Sequence, residues 1–201
     1  MKSIVGNSIL KEHPLKSILS MRNKRVRMFI LVYVTLLSSL IIGLYIPIPL
    51  GYAEYLVDIY NKTMVREYMM RRGFTNKTFF IVSHNLRVLL LSSAPIVGPI
   101  LMYYSAFSAG MILNALVLTS GGKLSHLQVL LSTLSMPHTW IELLAFSLTT
   151  SECIFLSLQL LRKGTLKDEV FYMLVILIVS ASLLLLSAIL ETLFTMALTE
   201  I

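Results

Sequence analysis

Long uncharged runs separated by short polar breaks set the pattern of this chain. Met28–Leu50 and Ile96–Leu118 are 23 residues each without a charged side chain, and Val170–Ala197 is 28 residues with one, Glu191. A bilayer crossing needs about 20 apolar residues at a helical rise of about 1.5 Å each. A fourth run, Phe79–Ala94, is weaker because His84, Asn85 and Arg87 interrupt it. The last, Leu127–Leu161, holds 35 residues, about 52 Å as one helix and too long for a single crossing. Pro137 divides it: Ser135 is suited to cap and Pro137 to open the second piece. Leu127–Leu134 is left as a short external helix, re-entrant or interfacial.

The breaks supply the connections. Pro47–Gly51 ends the first run. Tyr52–Arg72 then reads as an external amphipathic helix, with Leu56, Tyr60, Met64 and Tyr68 at four-residue spacing. Arg71, Arg72 and Gly73 form its stop. Pro95, Gly98 and Pro99 make a tight turn, and Ser120-Gly121-Gly122-Lys123 another on the opposite side. The triplets Asn61-Lys62-Thr63 and Asn76-Lys77-Thr78 have the form of glycosylation acceptors, but one lies inside a predicted helix and the other abuts a span. Both read as coincidence. The expected fold is all-α: a polytopic membrane helical bundle of about five transmembrane helices plus a short re-entrant or interfacial helix. A basic segment, 1–27, precedes a single transmembrane domain, 28–201.

Composition agrees. Hydrophobic residues make up 56% and charged residues 13%, against about 25% charged in soluble domains, which excludes a soluble role. The net charge of +7 does not call for nucleic acid, since Lys and Arg flank apolar spans and anionic lipid accounts for them. Lys2, Lys11, Lys16, Arg22, Lys24, Arg25 and Arg27 stand against Glu12 alone in the first 27 residues, which puts the N-terminus in the cytoplasm. Five crossings put the C-terminus outside, and basic residues then divide ten to six between the two sides, Arg87 aside. Ile4, Val5, Ile9, Leu15, Ile18 and Leu19 suit an interfacial helix that Pro14 interrupts. The single cysteine, Cys153, reads as a packing residue. Beyond the bilayer, expected partners are membrane or extracytoplasmic proteins or further copies of this chain.

Ionisable groups in hydrocarbon cost about 2.5–3.5 kcal/mol each on insertion scales and need partners or a purpose. Those groups are His84 and Arg87, with Asn85 between them, then His138, Glu142 and Glu152, then Glu191; Asn114 adds a further polar group. Arg87 is the one Arg or Lys within the runs, so it is expected to pair with Glu142 or Glu191. The expected cluster is His84, Asn85, Arg87, His138, Glu142 and Glu191, near the extracellular side. It supports three readings: interhelical glue, a transport or permeation pathway, or intramembrane chemistry by His138 and Glu142. The last lacks support, because His-xxx-Glu supplies two metal ligands where zinc needs three or four. No metal or cofactor is expected, nor an enzyme.

From Phe79 onward the chain resembles the stage II sporulation protein M family of integral membrane proteins. Asn85-Leu86-Arg87-Val88 is similar to that family's Asn-containing span. Ser105-Ala106 followed by Gly110 stands where the family has an Asn-Gly-xxx-Gly step. Pro137-His138-Thr139-Trp140-Ile141-Glu142-Leu143 resembles its Pro-His-Gly…Glu-Leu signature, with Thr139 in place of Gly. The resemblance covers roughly residues 79–160 and implies a divergent member. The implied role is a membrane scaffold or subunit of a membrane complex; the alternative is a small-solute transporter or permease subunit using the polar cluster.

Overall fold

The computed structural model describes residues 14–162 and 166–199, with side chains over 23–162 and 166–197. Among the described residues the elements are all helical: α1 (Pro14–Tyr45), α2 (Leu50–Tyr60), α3 (Arg66–Met70), α4 (Phe74–Ser92), α5 (Val97–Thr119), α6 (His126–Ser135), α7 (Pro137–Leu161) and α8 (Lys167–Thr199). A π-helical turn, Asn61–Val65, joins α2 to α3 without a break in the chain's course.

Four stretches are long and apolar enough to cross a membrane: Asn23–Tyr45, Val97–Thr119, Pro137–Leu161 and Lys167–Ala197. Their outward faces carry large exposed side chains such as Ile42, Ile100, Phe171 and Ile178. In water such a surface would be one continuous aggregation patch, whereas lipid solvates it without penalty. The expected fifth crossing corresponds to α4. It packs against α8, α5 and α7 like the others, but Asn76, Lys77, His84, Asn85 and Arg87 make it too polar to stand with the four.

The helix α7 occupies the middle, packing against α1, α4, α5, α6 and α8. Its buried positions are small and polar as often as apolar: Ser147, Thr149, Thr150, Ser151 and Ser157 are all covered. Lipid tails are as apolar as leucine, so helices associate through close packing and interhelical hydrogen bonds. Thr149 and Ser180 bond across α7 and α8 at 2.9 Å, and Ser180 donates back to the Ala145 carbonyl at 3.0 Å. Thr78 does the same between α4 and α8, reaching Thr192 at 3.1 Å. The α1–α5 contact depends on two glycines. A Cβ on Gly110 would strike the Leu40 carbonyl, and one on Gly43 the Phe107 carbonyl.

The ends of the helices follow local chemistry. Gly121 and Gly122 take φ of 63° and 84°, which closes the turn after α5 as expected. Ser125 and Gln128 then form a reciprocal capping box that starts α6. Ser125→Ala should lower stability by about 1 kcal/mol, measured by unfolding in mild detergent. At the far end of α6 the expected cap is different: Ser135 is the last residue of α6 and bonds back to the Ser132 carbonyl, while extended Met136 precedes Pro137. Asn114 pins the first residue of α6, meeting His126 Nε2 at 2.9 Å while it donates to the Ile46 carbonyl.

Two other boundaries shift. The amphipathic helix expected over 52–72 runs from Leu50 to Met70, and Gly73, at φ 79°, stands at the start of α4 and not at the stop of that helix. Asn61 and Asn76 both lie within helical segments, where Asn76 donates to the Arg72 carbonyl. Ile4, Val5 and Ile9 of the expected interfacial helix lie outside the described residues, and α1 is described from Pro14 onward.

Candidate functional site

Glu142 sits two turns into α7 and is the centre of the polar arrangement. Asn85 Nδ2 of α4 donates to its Oε1 at 2.7 Å, and Ser187 Oγ of α8 reaches the same oxygen at 3.0 Å. Ser187 also lies 3.2 Å from the His138 carbonyl, one turn earlier. One carboxyl group therefore ties three helices together. Both hydrogen bonds end on Oε1, and among the described residues no basic side chain comes within ion-pairing distance of either oxygen.

The same carboxyl lines a cavity of about 230 Å³ between α1, α4, α5, α6 and α7. Leu36, Leu40, Met102, Ala106, Leu143 and Phe146 make most of its wall; His84, Asn85, Ser105, Thr139 and Glu142 supply the polar atoms. A mainly apolar chamber with a few convergent polar groups is the ordinary construction of a small-molecule site. Asn85→Leu should remove one of the two donors to Glu142 and cost about 1–3 kcal/mol. A detergent melting curve unchanged from the parent would contradict the geometry.

Arg87 is not the partner of Glu142 or Glu191. It forms no ion pair with either among the described residues. The reason is helical geometry: residues two apart point about 200° from each other around a helix. With Asn85 turned inward to Glu142, Arg87 must face the other way. It opens instead onto a second recess, about 300 Å³, shared with Thr63, Met64, Glu67, Arg71, Phe80 and His84 under the segment running from α2 to α3. His84, three residues from Arg87 and beside Asn85, lines both chambers. Glu191 makes no hydrogen bond to Glu142 among the described residues but stands within electrostatic reach of it, and also near Tyr60, whose phenol is held above its ordinary range by burial and by this carboxylate. The expected six-residue cluster is thus divided: Asn85 and Glu142 meet, His84 stands between the chambers, and Arg87 and Glu191 lie outside the hydrogen-bonded centre. His138 contributes its carbonyl, while its Nδ1 is buried without a hydrogen-bond partner among the described residues.

A second ionic centre lies near the opposite ends of the helices. Arg25 of α1 pairs with Glu152 of α7 and, at 2.6 Å, with Glu169 of α8. The guanidinium also stacks 4.4 Å from the Tyr172 ring centre and 5.0 Å from that of Phe155. The expectation for Arg25 was a solvated flanking charge. The sequence signal for it is Glu152, an ionisable group within an apolar run that needs a partner. Counting about 1.5 Å per residue back from Leu161 and from Tyr45 places Glu152 and Arg25 toward one end of the bundle.

Among the described residues no three His, Cys, Asp or Glu side chains gather as a metal site would require. Comparison with family models, with curated proteins and with solved structures finds no match for this chain. The class defined by fold and site is therefore an all-α bundle with four potential crossings and a carboxyl-lined cavity between its helices.

Proposed function

We propose that this is a multi-pass integral membrane protein that binds a small solute at Glu142, as a transport or permeation subunit. The observation that carries the reading is a carboxyl group, without a cationic partner in the described chain, on the wall of a partly open and largely apolar chamber. Such a chamber fits a solute of a few heavy atoms with an apolar body and one donor or cationic head, for which a short aliphatic amine is the simplest chemistry. Asn85 and Ser187 orient Glu142, and His84 stands where a solute would pass between the recess under α3 and the chamber. With α4 as a fifth crossing, Lys24, Arg25, Arg27 and Arg162 mark the cytoplasmic end of a bundle in the cell membrane, and the C-terminus lies outside.

The segments resembling the stage II sporulation protein M family support treating these groups as one site, since Asn85 and Glu142 come from two of them and bond directly. A second reading, the membrane scaffold or complex subunit, is favoured by Tyr52, Tyr55, Ile59, Met69 and Met70, which are exposed along Leu50–Met70.

Binding of butylamine, butanol and butyrate to the purified protein, followed by thermal shift, tests the proposal. Butylamine should stabilise the parent protein, and Glu142→Gln should weaken its binding at least about tenfold, the scale of a charge-assisted hydrogen bond. Ala106→Phe should fill the chamber and abolish binding. Equal responses to the three compounds, or full binding by Glu142→Gln, would overturn it.

A further inference from the structure

We propose that the cleft between the early part of α1 and the end of α7 binds the phosphate headgroup of an anionic phospholipid. The cleft encloses about 530 Å³ and is more than twice the size of the Glu142 chamber. Lys24, Arg25, Arg27 and Arg162 line it, with Glu169 at its base. Arg25 is committed to Glu152 and Glu169. Lys24, Arg27 and Arg162 are exposed and enter no ion pair among the described residues. Three unpaired cations on one opening create a field that attracts an anion.

The apolar part of the cleft identifies the source of that anion. Met28, Leu31, Phe155 and Leu158 complete its lining, and Leu31 and Leu158 are themselves exposed. On α1, Lys24, Arg27 and Leu31 follow at helical spacing, so one stripe passes from charge to hydrocarbon within two turns. On α7, Leu158 and Arg162, four apart, make the same passage in reverse chain order. Both helices thus put charge at the end of the bundle and grease toward its middle. A free phosphate would have no use for the apolar half, whereas a phospholipid has a headgroup and an acyl chain joined at that distance. Basic pockets between spans at the cytoplasmic side are suited to such headgroups. The site shares no residue with the Glu142 chamber, so the two proposals stand or fall separately.

The test uses the full chain in mixed micelles containing phosphatidylglycerol, phosphatidylcholine or, in a third arm, glycerol 3-phosphate without lipid. Retained lipid is counted by native mass spectrometry, and binding is read by thermal shift. Phosphatidylglycerol should bind at least about tenfold more tightly than phosphatidylcholine, since each basic residue near the surface contributes about fivefold. The preference should shrink as salt is raised. The triple variant Lys24→Gln, Arg27→Gln, Arg162→Gln should lose the preference, and the pair Arg27→Lys, Arg162→Lys should keep it. These side chains are exposed, so the lipid-free melting of both variants should match that of the parent. Equal binding of the two lipids, a triple variant with the preference intact, or a shift by glycerol 3-phosphate equal to that by phosphatidylglycerol would each overturn the proposal.

Discussion

Arg25→Met should destabilise the bundle by about 3–5 kcal/mol, because it strands two carboxylates that were buried against one cation. Arg25 ties α1 to both α7 and α8, and the side chains of Glu152 and Glu169 are only 9% and 8% exposed. Little of either carboxylate meets solvent, so each keeps most of its desolvation penalty and loses its partner. The second carboxylate sharpens the effect through repulsion between like charges. Unfolding in mild detergent, followed by helical circular dichroism, checks the value. Replacing all three groups together, Arg25→Met with Glu152→Leu and Glu169→Met, should recover most of the loss, since a well-packed apolar substitute often equals a buried ion pair. A loss below about 1 kcal/mol for Arg25→Met alone would mean that the triad is solvated.

Gly110→Ala should cost about 3 kcal/mol, the top of the overpacking range. Its added carbon would meet the Leu40 carbonyl, which belongs to the backbone of α1 and cannot rotate aside. Relief requires the whole α1–α5 pair to separate, and the fully buried Leu36 and Leu44 on the same helix lose their fit. Gly43→Ala should act through the same crossing. The double variant should therefore be less harmful than the two single losses added together, because one separation accommodates both carbons. Melting of the three variants in one detergent decides the matter; strict additivity would contradict a shared crossing.

How much of this was legible in the sequence differs from feature to feature. Long apolar runs with few charges announced α1, α5, α7 and α8, because lipid demands length and apolarity along a span. The glycine turn at Gly121 and Gly122 and the division at Pro137 were readable for local reasons, a positive φ and a missing N–H. Asn85 and Glu142 were both picked out as polar groups needing partners, and they partner each other. The wrong step was to match charge with charge. Arg87 is the counterpart of Glu142 by charge, but rotation around α4 separates it from Asn85, and a neutral amide takes the place. Conversely, Arg25 looked like one more basic flank. Nothing in a linear reading tells which of seven basic residues near the first span turns back toward α7 and α8. Thr149 and Ser180 were invisible for a similar reason, since a hydroxyl in a span is unremarkable until its neighbour on the next helix is known.

The central claim is that Glu142 faces a chamber reached past His84 while the middle of α7 and the end of α4 are packed dry. It is tested most directly by single cysteines at Ser105, Ser92 and Thr150 in a Cys153→Ser background, exposed to a small water-soluble thiol reagent. Ser105→Cys lines the chamber, whereas Ser92 and Thr150 are 1% and 0% exposed. The account predicts labelling at Ser105→Cys, slowed by Ala106→Phe, with Ser92→Cys and Thr150→Cys protected. Protection at all three positions, or equal labelling of all three, would contradict it.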